Sequence, residues 1–124
     1  MPVSSKVDKD RKLVICELFG DITDEDGPAL QRLIRDDPDF DPSFSQLLDM
    51  TGITKAAISA ETIRTLAHTS VFSPNARRAF VADNAVVFGF ARMFEMLRET
   101  KSGSGVQVFG TRDEALHWLL EGAD

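Results

Sequence analysis

The alternation of apolar and polar positions predicts a chain in which strands and helices follow one another. Segments that favour strands are "SSKVD", "RKLVICELFG", "FSQLLDM", "RRAFVAD" and "VQVFG". Apolar residues recur at helical spacing after Pro28, from about Ser59, over residues 84–100 and in "TRDEALHWLLEG". Such alternation implies right-handed crossovers and a largely parallel sheet, preceded by an N-terminal antiparallel hairpin. We therefore predict one α/β domain over residues 1–124, with a mixed, mostly parallel sheet flanked by about four helices.

The second predicted strand is apolar on both faces and is expected to end at Gly20. Two apolar faces are typical of a strand in a sheet that helices cover on both sides. Along this strand the side chains alternate between two sets, Leu13, Ile15 and Phe19 on one face and Val14, Cys16 and Leu18 on the other.

Two of the predicted helices carry clear end signals. Pro28 suits the first turn of a helix that would turn Leu30, Leu33 and Ile34 inward. Thr111, followed three residues later by Glu114, forms a capping box for the last helix, and Gly122 supplies its stop. These signals indicate where the two helices begin and where the last one ends.

The helix predicted over residues 84–100 is apolar on more than one side. Its wide core face is expected to consist of Val86, Val87, Phe90, Met93, Phe94 and Leu97. Phe88 projects away from that face into a polar group formed by Asn84, Arg92, Glu95 and Glu99, with Met96 at the margin. An aromatic residue in such a place indicates a contact with another chain, a ligand lining or simple partial exposure. We select Phe88, Met96 and Arg92 as the candidate interface of a homodimer.

The net charge of −6, from 14 basic and 20 acidic residues, restricts the partners of the chain. The acidic excess is concentrated in "DITDEDGPALQRLIRDDPDFD". Such a surface repels nucleic-acid phosphates and anionic lipids. We therefore expect no nucleic-acid partner and no membrane partner, and we interpret the acidic segment as a solvated face.

The apolar pattern also bears on where the chain resides. The N-terminal segment "MPVSSKVDKD" is polar, and no apolar run approaches the roughly 18 residues of a membrane span, so we expect neither a signal peptide nor a transmembrane helix. The single cysteine, Cys16, cannot form an intramolecular disulfide and is expected to pack as a small hydrophobe. A reducing, cytoplasmic location fits these features best.

The residue types that carry catalysis or hold metals are sparse. His68, His117 and one cysteine are too few for the usual zinc sets, and both histidines fall on non-core sides of helices. The glycine-rich "SGSG" precedes a strand instead of opening a helix, and no "GxSxG" elbow places a serine. Asp49 is expected to end a strand and bond loop amides, because no base, metal or nucleophile accompanies it. We predict no enzyme activity, no metal and no cofactor.

The segments "LLDMTGIT", "RRAFVADNAVVFGFARMFEMLRE" and "VQVFGTRDEALHWL", in this order, resemble the bacterial SpoIIAA-like proteins. That family is related in fold to the STAS domains of anti-sigma factor antagonists. The resemblance extends from about Arg11 to Leu120 and implies a mixed, mostly parallel sheet flanked by helices. It implies no established activity.

The STAS resemblance also directs attention to Ser59. Antagonist-type STAS domains carry a phosphorylatable serine where the helix after this strand begins, usually in an Asp-Ser loop. Here Ala56, Ala57 and Ile58 occupy the place of that motif, and only Ser59 remains near the helix start. We interpret Ser59 as an N-cap and keep it as a weak phosphoacceptor candidate, because a phosphate there would meet the favourable helix dipole but also Glu61.

Two functions from different classes agree with these features. The preferred hypothesis is a non-enzymatic regulatory or protein-interaction module of unknown pathway, which lacks a clear phosphoacceptor motif and binds protein, most simply a second copy of itself. The alternative is a carrier of a small apolar ligand or lipid. It draws on the similarity of this family to Sec14-like lipid-binding domains and on a methionine- and phenylalanine-rich helix that would line a cavity instead of filling a core.

Overall fold

The sheet has five strands, and their spatial order is the order of the chain. The computed structural model describes residues 2–102 and 105–121, with side chains described except at 98–102. In chain order the elements are β1 (Val3–Asp8), β2 (Leu13–Thr23), α1 (Asp26–Asp36), β3 (Ser45–Ala57), α2 (Ala60–His68), β4 (Arg78–Val81), α3 (Ala85–Ser102), β5 (Val106–Phe109) and α4 (Arg112–Glu121). β1 pairs antiparallel with β2, and β2 to β5 are parallel neighbours. The predicted α/β fold with a mostly parallel sheet is confirmed.

Three helices cover one face of the sheet and one helix covers the other. Because the parallel strands follow the order of the chain, right-handed crossovers place α1, α2 and α3 on the same face. Under them lies the large core, which includes Val14, Cys16, Leu18, Leu48, Met50, Phe80 and Phe94. Under α4 lies the small core, which consists of Leu13, Leu47, Ala79, Val81, Ala115 and Leu119. The predicted two-faced character of β2 is therefore confirmed, apart from Phe19, which is exposed.

β2 and β3 are longer than their apolar patterns predict. Gly20 does not end β2: it takes a positive φ of 73° within the strand, at an irregularity in the pairing with β3, and pairing resumes as far as Thr23. β3 likewise continues past Met50 to Ala57. Beyond Asp49, β3 pairs with β2 alone, so the two strands project from the sheet as a ribbon. Few residues of this ribbon are buried, so it does not need the apolar alternation by which a strand is recognised in a sequence.

The helix ends agree well with their sequence signals. Pro28 lies in the first turn of α1, and Leu30 and Ile34 are buried as predicted. Leu33 is exposed, contrary to the prediction, because only one stripe of this helix faces the sheet. At the start of α4 the Thr111 hydroxyl accepts a bond from the Glu114 N–H (3.2 Å) and donates to the Glu114 carboxylate (3.0 Å). The predicted stop at Gly122 lies outside the described residues, as does the centre of "SGSG". None of the described helices is both long and apolar enough to cross a membrane.

Candidate functional site

The predicted interface residues share one broad outer face of α3. Phe88, Arg92 and Met96 follow one another at four-residue spacing, which places them side by side along a helix. The structure adds Val86, Gly89 and Met93 to this surface, which we call the α3 outer face. Its apolar side chains are solvent-exposed by 64% at Val86, 40% at Phe88, 37% at Met93 and 60% at Met96.

The exposure of Val86 and Met93 corrects the predicted core face of α3. Among the apolar side chains that the structure describes in α3, Val87, Ala91 and Phe94 are buried, while Phe90 and Leu97 are half-buried. A helix lying on a sheet buries a stripe that is narrower than the wide face inferred from the helical wheel. Consequently α3 has apolar side chains both toward the core and toward solvent.

The α3 outer face carries little uncompensated charge. Between Ala85 and Leu97 the sequence has only two charged residues, Arg92 and Glu95. Glu95 is buried, contrary to the predicted exposed polar group around Phe88, and its carboxylate accepts a hydrogen bond from the Arg92 guanidinium. This pairing neutralises the single cation on the surface.

Gly89 lies in the middle of the α3 outer face, where the fold itself does not require a glycine. A Cβ atom at this position would have no atom within 4 Å. A glycine in a helix interior costs about 0.5–1 kcal/mol relative to alanine. Gly89 therefore leaves an open notch on the surface and makes the helix less stable than alanine would.

A second feature is a cavity of about 110 Å³ inside the large core. Its floor is formed by alternate residues of the sheet, and its walls come from all three helices on that face. Among its lining residues are Leu18, Ile22, Leu30, Leu48, Ile63, Leu66, Phe80, Phe90 and Phe94.

Arg78 closes one end of this cavity and is buried. Its Nε donates to Gln46 Oε1 (2.9 Å) and its Nη1 to Ser70 Oγ (3.1 Å). The guanidinium carbon lies 4.9, 5.2 and 5.6 Å from the ring centroids of Phe72, Phe94 and Phe80, distances at which a cation is attracted by the ring faces. The charge is thus held in place by several groups of the protein.

Gln46 extends this polar arrangement to the cysteine. The Gln46 side-chain amide donates to Cys16 Sγ at 3.5 Å. Burial raises the pKa of the Cys16 thiol, more than its hydrogen bonds with Gln46 and Ser5 lower it. The thiol is therefore protonated at neutral pH, in keeping with the structural role predicted for it. Sequence analysis missed Arg78 and Gln46, although two-residue alternation with Phe80 would have put Arg78 on the inner face of its strand.

At the start of α2, Ser59 is the N-cap that the sequence predicts. Its hydroxyl accepts a bond from the Thr62 N–H at 3.1 Å, and its own N–H donates to Asp24 Oδ1 at 2.7 Å. That bond lowers the pKa of the exposed Asp24 carboxyl. A phosphate on Ser59 would therefore meet the Asp24 carboxylate as well as Glu61. Phosphorylation of Ser59 stays a prediction.

Asp49 has a structural role at the boundary between the sheet and α4. Contrary to the prediction it lies within β3, where its Oδ1 accepts bonds from the N–H (2.9 Å) and the hydroxyl (2.7 Å) of Thr51. Its Oδ2 accepts a bond from Arg112 at 3.2 Å. His68 and His117 are both exposed. Within the described ranges, no three His, Cys, Asp or Glu side chains are grouped to hold a metal ion.

Comparison with known proteins gives a structural match but no sequence match. No family model and no curated protein matches the chain. The structure is similar to that of an uncharacterised DUF3478-family protein with a SpoIIAA-like fold from Shewanella loihica PV-4, with a TM-score of 0.60. The two share 17% sequence identity over 94% of this chain and 93% of the other, a level at which the likeness concerns the fold. The chain therefore has the SpoIIAA-like fold that its sequence resembles.

Proposed function

We propose that this protein is a non-enzymatic interaction module that forms a homodimer through the α3 outer face. The observation that carries the proposal is that α3 is apolar toward solvent as well as toward the core. A helix that is apolar on all sides is typically buried on all sides. A partner that covers Val86, Phe88, Met93 and Met96 would complete that burial.

The charges of the chain favour a second copy as this partner. A two-fold interface brings the same surface of each subunit together, so the surface must be complementary to itself. An apolar face whose single cation is paired with Glu95 meets this condition without like-charge repulsion. Two subunits of net charge −6 repel each other at acidic surfaces and least at a neutral one.

Gly89 gives this contact a definite geometry. The notch at Gly89 has room for an apolar side chain of the second subunit, and it allows the two helices to approach closely. A close contact of this kind offsets the helix stability that the glycine loses. We place the dimer in the cytoplasm, because Cys16 is a buried free thiol and reducing compartments preserve such thiols.

The mass of the protein in solution tests the proposal. We expect a dimer by light scattering for the wild type and a monomer for Phe88→Asp, since a carboxylate would be buried unpaired in the interface. Gly89→Leu, which fills the notch without adding charge, should weaken the dimer as well. The matched control is Leu33→Asp, because Leu33 is a helical leucine on α1 with 39% exposure, close to that of Phe88. A wild-type monomer, or an unchanged dimer of Phe88→Asp, would contradict the proposal.

A small apolar-ligand or lipid carrier is the second candidate, and the cavity in the large core is the observation that favours it. The interaction module ranks first because the α3 outer face is already exposed. The cavity, in contrast, lies between the sheet and three helices and is only partly open to solvent. The two functions are compatible, since Phe90 and Phe94 line the cavity from the inner face of the same helix.

A further inference from the structure

We infer that the cavity in the large core binds a compact, neutral, apolar molecule about the size of a single aromatic ring. The inference rests on the second candidate function and specifies its ligand class. It is independent of whether the α3 outer face forms a dimer. The polar side chains of the lining are already hydrogen-bonded, and this fact together with the cavity volume determines the ligand class. The contacts of α2 determine how the ligand enters.

The polar side chains that line the cavity have partners within the protein. Arg78 bonds Gln46 and Ser70, the Thr23 hydroxyl donates to Asp26 (3.3 Å), the Gln31 amide donates to the Thr69 carbonyl (3.3 Å), and the Thr62 hydroxyl accepts from Ser59 (3.0 Å). Among the described residues, no buried side-chain nitrogen or oxygen lacks a hydrogen-bond partner. The lining therefore offers no polar group reserved for a ligand, and a charged ligand would lose its hydration without compensation.

The same argument applies to water. A buried water requires two to four polar partners, and apolar cavities without them stay dry. With the polar groups already paired and most of the lining apolar, water is a poor occupant of this space. An apolar molecule loses little on leaving water and gains contacts with Leu, Ile and Phe side chains.

The volume limits the size of this molecule. An engineered cavity of about 150 Å³ in another protein binds benzene. The cavity here, at about 110 Å³, has a similar lining of Leu, Ile and Phe and admits a molecule of one small ring or a short branched chain. The acyl chain of a membrane lipid exceeds this volume.

α2 is the wall that can open for entry. It packs chiefly on α3, and its ends are tied to neighbouring segments by two exposed hydrogen bonds, from the Ser59 N–H to Asp24 and from Gln31 to the Thr69 carbonyl. Exposed hydrogen bonds of this kind open at low free-energy cost. On the α1 side, Leu66 lies against Gly27, where a Cβ atom would be only 2.5 Å from Leu66 Cδ1. Outward movement of Leu66 would widen the access of the cavity to solvent.

Methyl NMR of the full-length protein tests the inference with benzene as the probe. We expect saturable shifts of the Ile63 and Leu66 methyl resonances in the wild type. Ala91→Leu places a larger side chain in the cavity and should weaken binding at least tenfold. Ala60→Leu is the matched control, because Ala60 is exposed at the first position of α2 and does not line the cavity. It should bind benzene as the wild type does.

A second variant, Ile58→Phe, and a second probe, decanoate, complete the test. If Ala91→Leu fails to fold, Ile58→Phe fills the half-buried side of the lining and should weaken binding in the same way. The absence of a saturable shift with benzene, or equal shifts in wild type and both filled variants, would overturn the inference. Decanoate is not expected to bind. Saturable binding of decanoate at the same methyl groups would overturn the compact-ligand class while supporting a lipid carrier.

Discussion

The two cores, one on each face of the sheet, differ in how completely side chains fill them. On the α4 side, the Thr111 hydroxyl caps the start of the helix, Arg112 is bonded to Asp49 in β3, and the Phe109 and Trp118 rings lie 5.6 Å apart. On the opposite side, Ser59 caps α2 in a similar way, but a cavity lies beneath that helix. The small core is closed by specific contacts, whereas the large core leaves space.

Two consecutive arginines show the same contrast. Arg77 faces α4, where its Nη1 donates to the Trp118 carbonyl at 2.7 Å and its guanidinium lies 4.9 Å from the Trp118 ring. Arg78 faces the large core and contacts three phenylalanine rings at the end of the cavity. Arg77 is half-buried and joins two elements at the surface, whereas Arg78 is buried and organises an interior. The α4 side is thus closed by contacts between elements, whereas the side of α2 and α3 contains the cavity.

The largest expected change in stability comes from replacing Arg78. Arg78→Met should lower the free energy of unfolding by about 4 kcal/mol, because it removes two charged hydrogen bonds and leaves the buried Gln46 Oε1 without its donor. Arg77→Met should cost only about 1 kcal/mol, since its carbonyl partner is partly accessible to water. Urea denaturation measures both.

The double variant Arg78→Met/Gln46→Leu is the control for unpaired polar groups. Removing both partners should recover part of the loss, because the buried amide is then no longer unpaired. Equal losses for Arg77→Met and Arg78→Met would contradict the distinction between the two arginines.

The next effect concerns how closely the two cores are packed. Leu119→Ala in the small core should cost about 3 kcal/mol, because it creates a new void among well-packed neighbours. Leu66→Ala at the cavity wall should cost about 1 kcal/mol, because Leu66 is half-buried and already borders empty space. The free energies of unfolding of the two variants, measured side by side, decide the point. A cost for Leu66→Ala as large as that for Leu119→Ala would show that the large core is as tightly packed as the small one.

The smallest effect is a pH dependence at the start of α2. The Ser59 N–H lowers the pKa of Asp24 from its ordinary value of 3.8 in the folded state. A carboxyl whose folded pKa is depressed stabilises the protein above its unfolded pKa, and this stability is lost as the pH falls through the folded value. We therefore expect the urea midpoint to fall below about pH 4, in part through Asp24.

Asp24→Asn separates this contribution from those of other carboxyls. Asp8 and Asp41 also have lowered pKa values, from hydrogen bonds with Arg11 and Ser43 respectively, so the wild-type slope is a sum. The amide still accepts the Ser59 N–H but does not titrate, and its acid slope should be shallower than that of the wild type. An identical slope below pH 4 would show that Asp24 does not contribute to the loss of stability in acid.

The sequence predicted which residues share an exposed side of α3, but it did not predict the cavity. Phe88, Arg92 and Met96 lie on one exposed face because helical spacing alone places them there. Val86 and Met93 were wrongly included in the core face, since the width of the buried stripe depends on how α3 lies on the sheet. Arg78 was missed because its burial depends on aromatic residues from β4, α3 and the segment after α2. Alternation with Phe80 indicates only that Arg78 lies on the inner face of β4, and it does not reveal the aromatic residues from the other two segments.

The sequence by itself determined the order of the elements, the mostly parallel sheet, the two faces of β2 and the caps at Ser59 and Thr111. These features depend on residues close together in the chain, so their periodicity and capping chemistry are visible in one dimension. Only the tertiary structure decided how far β2 and β3 extend, which apolar residues of α3 face solvent, and where the cavity beside Arg78 lies. Each of these depends on pairing or packing between segments far apart in sequence, and the free energy of such contacts has no local signature.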